Sequence, residues 1–464
     1  MVEEVQKEEN VAETVEKENK MGVMPVNKLL IRMGVPMMIS MLVQALYNIV
    51  DSIFVAKLGQ DAFNAVSFSF PVQNILIAIA SGTGVGMNAL ISRALGEKNG
   101  EKANGFAMHG LFLAICSSFF VMFFGIFGSE IFFRSQTTNE SIIQMGTEYT
   151  SICCIFSFGV LMQVIFERLL QSTGKTTLSM ITQSVGAIIN IIFDPILIFG
   201  LLGFPKMGVA GAAIATVLGQ IVACVVGLIL NVKYNRELTF RLKGFRIQGS
   251  MIKEIYRIGF PSIIMQSIGS VMTYMMNRLL SDIEPTETAA AVFGAYFKLQ
   301  SFVIMPVFGL GNAMTPIVAY NLGARKKARL LQTYRLSVGY AVIIMTVGAI
   351  LMIFAPKLLL GLFSATDEML EMGASAFRII AVTLILASVG IMTSNLFQAC
   401  GKSVYSLLMS LCRQLLVLIP LAYLLGYTIG YEAVWFAIPL AEVGSLAVAV
   451  FGYKALKKKV LSTL

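Results

Sequence analysis

Three polar stripes interrupt long apolar stretches of this 464-residue chain. Gln44, Asn48 and Asp51 recur at i, i+4 and i+7; Gln183, Asn190 and Asp194 recur at i, i+7 and i+11; Thr216 and Gln220 form an i, i+4 pair. Each spacing puts its side chains on one face of a helix. Two carboxylates, several amide oxygens and a hydroxyl are hard oxygen donors that a sodium ion could use. The same carboxylates, taken out of water, could instead take up and release protons. A charge inside a membrane-spanning segment costs roughly 2.5–3.5 kcal/mol on insertion scales, so acids found there mark an ion or proton route. Amides and hydroxyls alone are also common glue between membrane helices. Gln266 is a further candidate for the wall of a substrate cleft. Glu442, in PLAEVGS, could meet a cationic substrate or bond a neighbouring helix.

The elements that must position these residues are membrane helices. The chain is 56% hydrophobic and 13% charged, with mean hydropathy +0.78, whereas soluble domains carry about 25% charged residues. Runs of some 20 apolar residues span a bilayer. Twelve such runs are expected, at about 29–57, 65–92, 105–128, 143–169, 178–201, 208–231, 255–280, 290–320, 331–354, 370–397, 405–426 and 433–453. Twenty-two lysines and arginines fall in the loops after even-numbered spans and in the last tail, against six after odd-numbered spans. That asymmetry places both termini in the cytoplasm and accounts for the net charge of +9 without a nucleic-acid partner. Six cysteines lie in or beside apolar segments without metal-ligand spacing and read as reduced packing residues. Residues 1–28 hold seven glutamates and no apolar core, which suggests a disordered, dispensable cytoplasmic tail.

An internal repeat divides the remainder. RMGVP (Arg32, Gly34, Pro36) returns as RIGFP (Arg257, Gly259, Pro261) 225 residues later. Gly82, Gly84, Leu95 and Gly96 match Gly309, Gly311, Leu322 and Gly323 at 227, as do Leu169, Gln171, Gly174 and Lys175 with Leu396, Gln398, Gly401 and Lys402. Six spans per copy is an even number, so both copies enter the membrane in one orientation, related by an axis along its normal. The expected architecture is all-α. An N-terminal six-helix bundle (29–231), a basic cytoplasmic linker (232–254) and a C-terminal six-helix bundle (255–454) precede a basic tail (455–464). A substrate belongs in the cleft between the bundles. Asp51 falls opposite Met276 and Asp194 opposite Leu421. Both acids thus belong to the first bundle alone, which points to coupling there. Pro195 follows Asp194 and can bend the fifth helix, a candidate switch.

Other ionisable groups read as supporting parts. Glu167 and Arg168, near a cytoplasmic end, could pair with each other; Lys298, Arg378 and Arg413 sit close enough to a membrane face to snorkel. His109 reads as structural. No P-loop, HExxH, GxSxG or DDxxD pattern occurs, so neither an ATP-driven pump nor an enzyme has a motif to stand on.

GVPMMISMLVQALYNIVDSIFVAKLG, SGTGVGMNALISRALG, LLQSTGK, and NIIFDPILIFG with GVAGAAIAT resemble the multidrug and toxic compound extrusion (MATE) family over roughly residues 28–455, in its DinF- or MepA-like bacterial branch. The resemblance implies a monomeric, multi-pass bacterial plasma-membrane antiporter without cofactor. It implies export of amphipathic, often cationic drugs against protons or sodium ions. Its coupling residues map onto Asp51, Asp194, Asn190 and Thr216, which would also be the metal ligands if sodium is the ion. A seventh-span glutamate typical of the NorM-like branch is missing; SIIMQSIGSVMTYMMN offers only Gln266 and Asn277. Flippases for lipid-linked sugars share the two-bundle plan and form the alternative. A pyrophosphate lipid calls for an arginine-lined cleft, and the sequence places its basic groups near the faces.

Overall fold

A computed structural model describes residues 19–239, 245–284, 288–361 and 366–462. Twelve long helices organise it: α1 Val26–Ala56, α2 Gln60–Gly96, α3 Gly100–Phe127, α4 (two arms, Glu140–Ile155 and Phe158–Ser172, bent by 46°), α5 Thr176–Phe199, α6 Gly208–Tyr234, α7 Gly249–Ile283, α8 Thr288–Gly323, α9 Lys327–Phe354, α10 Asp367–Ala399, α11 Ser403–Thr428 and α12 Tyr431–Leu456. No strand occurs among the described residues. Ten helices are individually long and apolar enough to cross a bilayer, and the bent α4 pair brings the number to eleven. The twelfth, α7, spans 35 residues but carries Ser262, Gln266, Ser267 and Thr273, because one of its faces is turned to a polar cleft. Phe119, Phe120, Phe123 and Phe127 of α3 are exposed on the outside, as expected where the surrounding solvent is hydrocarbon.

The duplication is visible in the helix ends. α2 closes with Glu97 N–H on Arg93 O, Lys98 N–H on Leu95 O and Asn99 N–H on Ala94 O. α8 repeats all three bonds 227 residues later, with Ala324 on Tyr320, Arg325 on Leu322 and Lys326 on Asn321. Lys98 and Arg325 even share the left-handed backbone angle φ = 56°. α4 and α10 end alike, through Gly174 (φ 81°) and Gly401 (φ 70°). Two helix pairs with identical caps at one offset are two copies of one fold.

These ends meet between the bundles. A Cβ on Gly96 would strike the Tyr320 carbonyl, and a Cβ on Gly323 would strike the Arg93 carbonyl, the same contact seen from either side. Gly82 and Gly259 likewise lie against each other's backbone, and Gly309 lies against Met37. Buried clusters that join the bundles keep to this half of the helices: Leu29, Leu30, Met33 and Met37 with Ala313, Ile317 and Tyr320, and Ile255 and Ile258 with α2, α3 and α4. This is the end where the basic residues gather, and here the cleft is shut. Toward the other end the helices part around a cavity of about 660 Å³ lined by both bundles.

Residues 19–28 do not behave as a tail. Lys20–Val23 forms a short helix and Met21 is wholly buried. Asn321 Nδ2 (3.0 Å) and Arg329 Nη2 (3.2 Å) donate to Met21 O, Arg329 Nη2 also to Met24 O (2.6 Å), and Lys326 Nζ to Gly22 O (3.0 Å). Asn19 Nδ2 meanwhile reaches Glu237 Oε1 (2.8 Å) and the Thr173 carbonyl (3.4 Å) in the other bundle. The segment is a strap across both bundles. The remainder of the expected tail, residues 1–18, lies outside the described residues. The linker is also shorter than expected, because α6 runs on to Tyr234 and α7 starts at Gly249; residues 240–244 within it lie outside the described residues. His109 holds it in place: Nδ1 meets Gly105 O (2.7 Å) and Nε2 accepts from Gln248 N–H (2.8 Å).

Candidate functional site

α1 and α5 pack side by side, so the two polar stripes face one another. Gln183 Nε2 donates to Gln44 Oε1 (3.0 Å), and Ser40 Oγ donates to Gln183 Oε1. Further from the shut end, α5 meets α6. Asn190 stands there between two partners: its nitrogen, oriented to donate, lies 3.2 Å from Asp194 Oδ2, and its oxygen accepts from Thr216 Oγ1 at 3.2 Å. Gly219 and Gly186 allow this close approach, each lying where a side chain would meet the other's carbonyl. Asp194 is fully buried and has no arginine or lysine partner among the described residues. Asp51 sits one turn beyond Tyr47, within electrostatic reach of Asp194. Its Oδ1 is buried without any hydrogen-bond partner. A buried carboxylate oxygen left unsatisfied costs about 1–3 kcal/mol or more, so this one stands out.

The two acids do not line the cavity themselves. Asn190, Thr216, Tyr47 and Asn48 do, with the carboxyls one layer behind. Both acids also lie in the half of their helices away from the shut end rather than at mid-span: Asp51 is five residues from the end of α1, and Asp194 five from the end of α5. Pro195 falls in the last turn of α5, where its missing N–H costs least.

Gln44, Asn48, Gln183, Gln220, Gln266 and Glu442 all line the cavity. Glu442 is 2% exposed, its Oε1 makes no hydrogen bond, and Arg413 Nη1 lies 3.9 Å away. Arg413 belongs to a π-helical turn, Cys412–Leu416, that interrupts α11; such turns re-aim side chains and frequently mark functional positions. Two expectations are corrected here. Arg413 lies on the cavity wall instead of reaching for a membrane face, because the widened turn directs it toward Glu442. Glu167 and Arg168 do not pair with each other: Glu167 Oε1 accepts from Gln163 (3.0 Å), while Arg168 Nη1 donates to Gln171 Oε1 (2.9 Å) and, across the cleft, to Asn312 Oδ1 (3.0 Å). All four line the cavity floor with Gln398 and Asn395. Gln163, Asn312 and Gln414 were not singled out from the sequence, although an amide inside an apolar run was signal enough.

Comparison with known proteins places this geometry. The MatE family model matches residues 36–196 and 260–424, one repeat each. A FAD transporter of Shewanella oneidensis is 28% identical over 424 residues, 90% of this chain and 92% of that one. The multidrug export protein MepA of Staphylococcus haemolyticus is 26% identical over 441 residues, covering 93% and 94%. Among solved structures, one described as the outward-facing conformation of a multidrug resistance MATE family transporter of the MOP superfamily superposes with a TM-score of 0.89 at 29% identity, covering 96% of this chain and 99% of that one.

Proposed function

Because the chain belongs to the MatE family of membrane transporters, we propose that it is a secondary active antiporter exporting amphipathic, often cationic compounds in exchange for protons or sodium ions. The observation that carries this reading is the unsatisfied Asp51 oxygen beside the Asn190–Asp194–Thr216 network, one layer behind the cavity wall. Two carboxylates in one dry region repel unless a proton or a metal cation joins them. Loading that cation neutralises the first bundle, and losing it restores the repulsion. Substrate in the adjoining cavity competes for the same amides. The basic end faces the cytoplasm by the positive-inside rule, so the cleft opens outward and the state described is the one that releases substrate and takes up the ion. The protein works as a monomer in a bacterial plasma membrane.

One proton exchanged for one monovalent cationic drug moves no net charge. Such a cycle runs on the pH gradient alone, whereas a second ion would recover roughly 2.3 kcal/mol per 100 mV. The deciding experiment is dye efflux from vesicles under imposed proton or sodium gradients, with wild type, Asp51→Asn and Asp194→Asn. Unimpaired efflux by both variants under both gradients refutes the assignment.

A second reading has its own support. Arg168 and Arg413 on the cavity wall, together with the similarity to a FAD transporter, favour a phosphate-bearing cargo such as a dinucleotide, which guanidinium groups suit. They also remove the argument against a pyrophosphate-lipid flippase that rested on basic groups lying at the faces. Uptake of labelled FAD and of a cationic dye into the same vesicles, driven by one gradient, separates these cargoes.

A further inference from the structure

The shut end holds a second cavity, of about 610 Å³, between the ends of α2, α8 and α10 and the start of α7. Five cations line it against two acids. Arg93 is engaged with Glu97 (2.9 Å). Arg257, Arg325, Lys402 and Lys459 make no hydrogen bond and no ion pair through their side chains among the described residues. Cations near helix C-termini ordinarily serve the free carbonyls there. Here Glu97, Lys98 and Asn99, then Ala324, Arg325 and Lys326, then Cys400, Gly401 and Lys402 close those carbonyls with their own backbone N–H groups. The charges converge on space that offers them nothing.

The internal repeat says what belongs in that space. By the 225 and 227 offsets, Arg257, Leu322, Gly401 and Lys402 correspond to Arg32, Leu95, Gly174 and Lys175. Those four surround the strap on the opposite flank: Met21 packs with Leu95, and Lys20 lies against Gly174. Burial, Arg32 and Lys175 together push the Lys20 amine below its ordinary pKa. One recess of the pair is therefore filled. In it Lys175 has a carboxylate, Glu237 Oε2 at 2.6 Å, whereas its counterpart Lys402 has no anion.

We propose that the open recess binds a phosphate-bearing anion, which bridges the two bundles as the strap does on the other flank and so holds the cleft shut at the basic end. The site stands at headgroup depth, so the phosphate can arrive on an anionic phospholipid or on a soluble compound. Charge-assisted bonds to both halves form only while the halves are together, so the anion favours this state by mass action.

The test uses the full chain in nanodiscs of phosphatidylcholine, without and with phosphatidylglycerol, and pyrophosphate titrated into the former. Hydrogen exchange at residues 94–99 and 321–326 and the thermal midpoint are the readouts. Phosphatidylglycerol, pyrophosphate or both slow exchange and raise the midpoint, and Arg325→Gln with Lys402→Gln weakens the response about tenfold, roughly one charge-assisted contact. Lys206→Gln, at the other end, leaves it intact. A response to phosphatidylglycerol alone identifies a headgroup site, and a response to pyrophosphate identifies a site open to soluble phosphates. Should the double variant fail to fold, exposed Arg325→Gln alone serves. No response to either probe, or an equal response from the variants, overturns the proposal.

Discussion

Arg168 of the first bundle donates a 3.0 Å hydrogen bond to Asn312 of the second. It joins the bundles at the cavity floor, where α4 reaches α8, and must break whenever the bundles part there. Hydrogen bonds to charged groups contribute about 1.5–3 kcal/mol, so Asn312→Ala should shift the balance between the two access states by roughly ten- to a hundredfold. Spin-label distances across the basic end report this. An unchanged distance distribution refutes the assignment of Arg168 as a floor contact.

Asp194→Asn keeps the size of the side chain and its bond to Asn190, while removing the charge. Folding should survive, and gradient-driven efflux should fall at least about tenfold, the usual scale of losing one participant in proton transfer. Thr216→Val, which deletes only the hydroxyl behind Asn190, should weaken efflux less. Equal efflux from Asp194→Asn and wild type at every imposed gradient contradicts the coupling role.

Gly96→Ala and Gly323→Ala each press a methyl group into the partner bundle's carbonyl. Overpacking of this kind costs about 1–3 kcal/mol, and the cost vanishes when the basic end opens. Both variants should therefore populate the inward-open state and lower the thermal midpoint, to similar extents because the contacts are pseudo-symmetric. A large difference between them would show that the two contacts are not equivalent in energy.

Deleting residues up to Met24 removes the strap. Burial of one large apolar side chain such as Met21 contributes about 1.5–3 kcal/mol, and Arg329 loses two carbonyl acceptors. The expected result is a lower thermal midpoint and a looser basic end. A deletion variant as stable as the full chain, with the same label distances, would restore the reading of this segment as dispensable.

Glu442→Gln retains the shape of the second-bundle wall and releases Arg413. Efflux of cationic dyes should drop relative to neutral or anionic compounds, while the thermal midpoint stays level or rises, since a buried unsatisfied carboxylate is lost. An unaltered substrate profile would make Glu442 a packing residue.

Much of this was legible in the sequence because the relevant signals are local. Gln44, Asn190 and Asp194 stand out against apolar neighbours, and the repeat of Gly96 as Gly323 announced both the duplication and the two-bundle plan. What escaped depends on direction or on distant partners. Spacing gives the depth of Arg413 along α11 but not the turn that swings it onto the cavity wall. Arg168 and Asn312 are 144 residues apart and meet only through packing. The strap looked like a tail because its anchors are backbone carbonyls, which carry no mark in composition.

The strap has a mechanical consequence. A clasp on one flank makes rocking lopsided, since the seam between α2 and α7 must yield before the strapped seam between α1 and α8. The motion therefore follows a door with its hinge at residues 19–24 more closely than a seesaw about a central pivot, and cargo leaving toward the basic side meets its first gap on the unclasped edge.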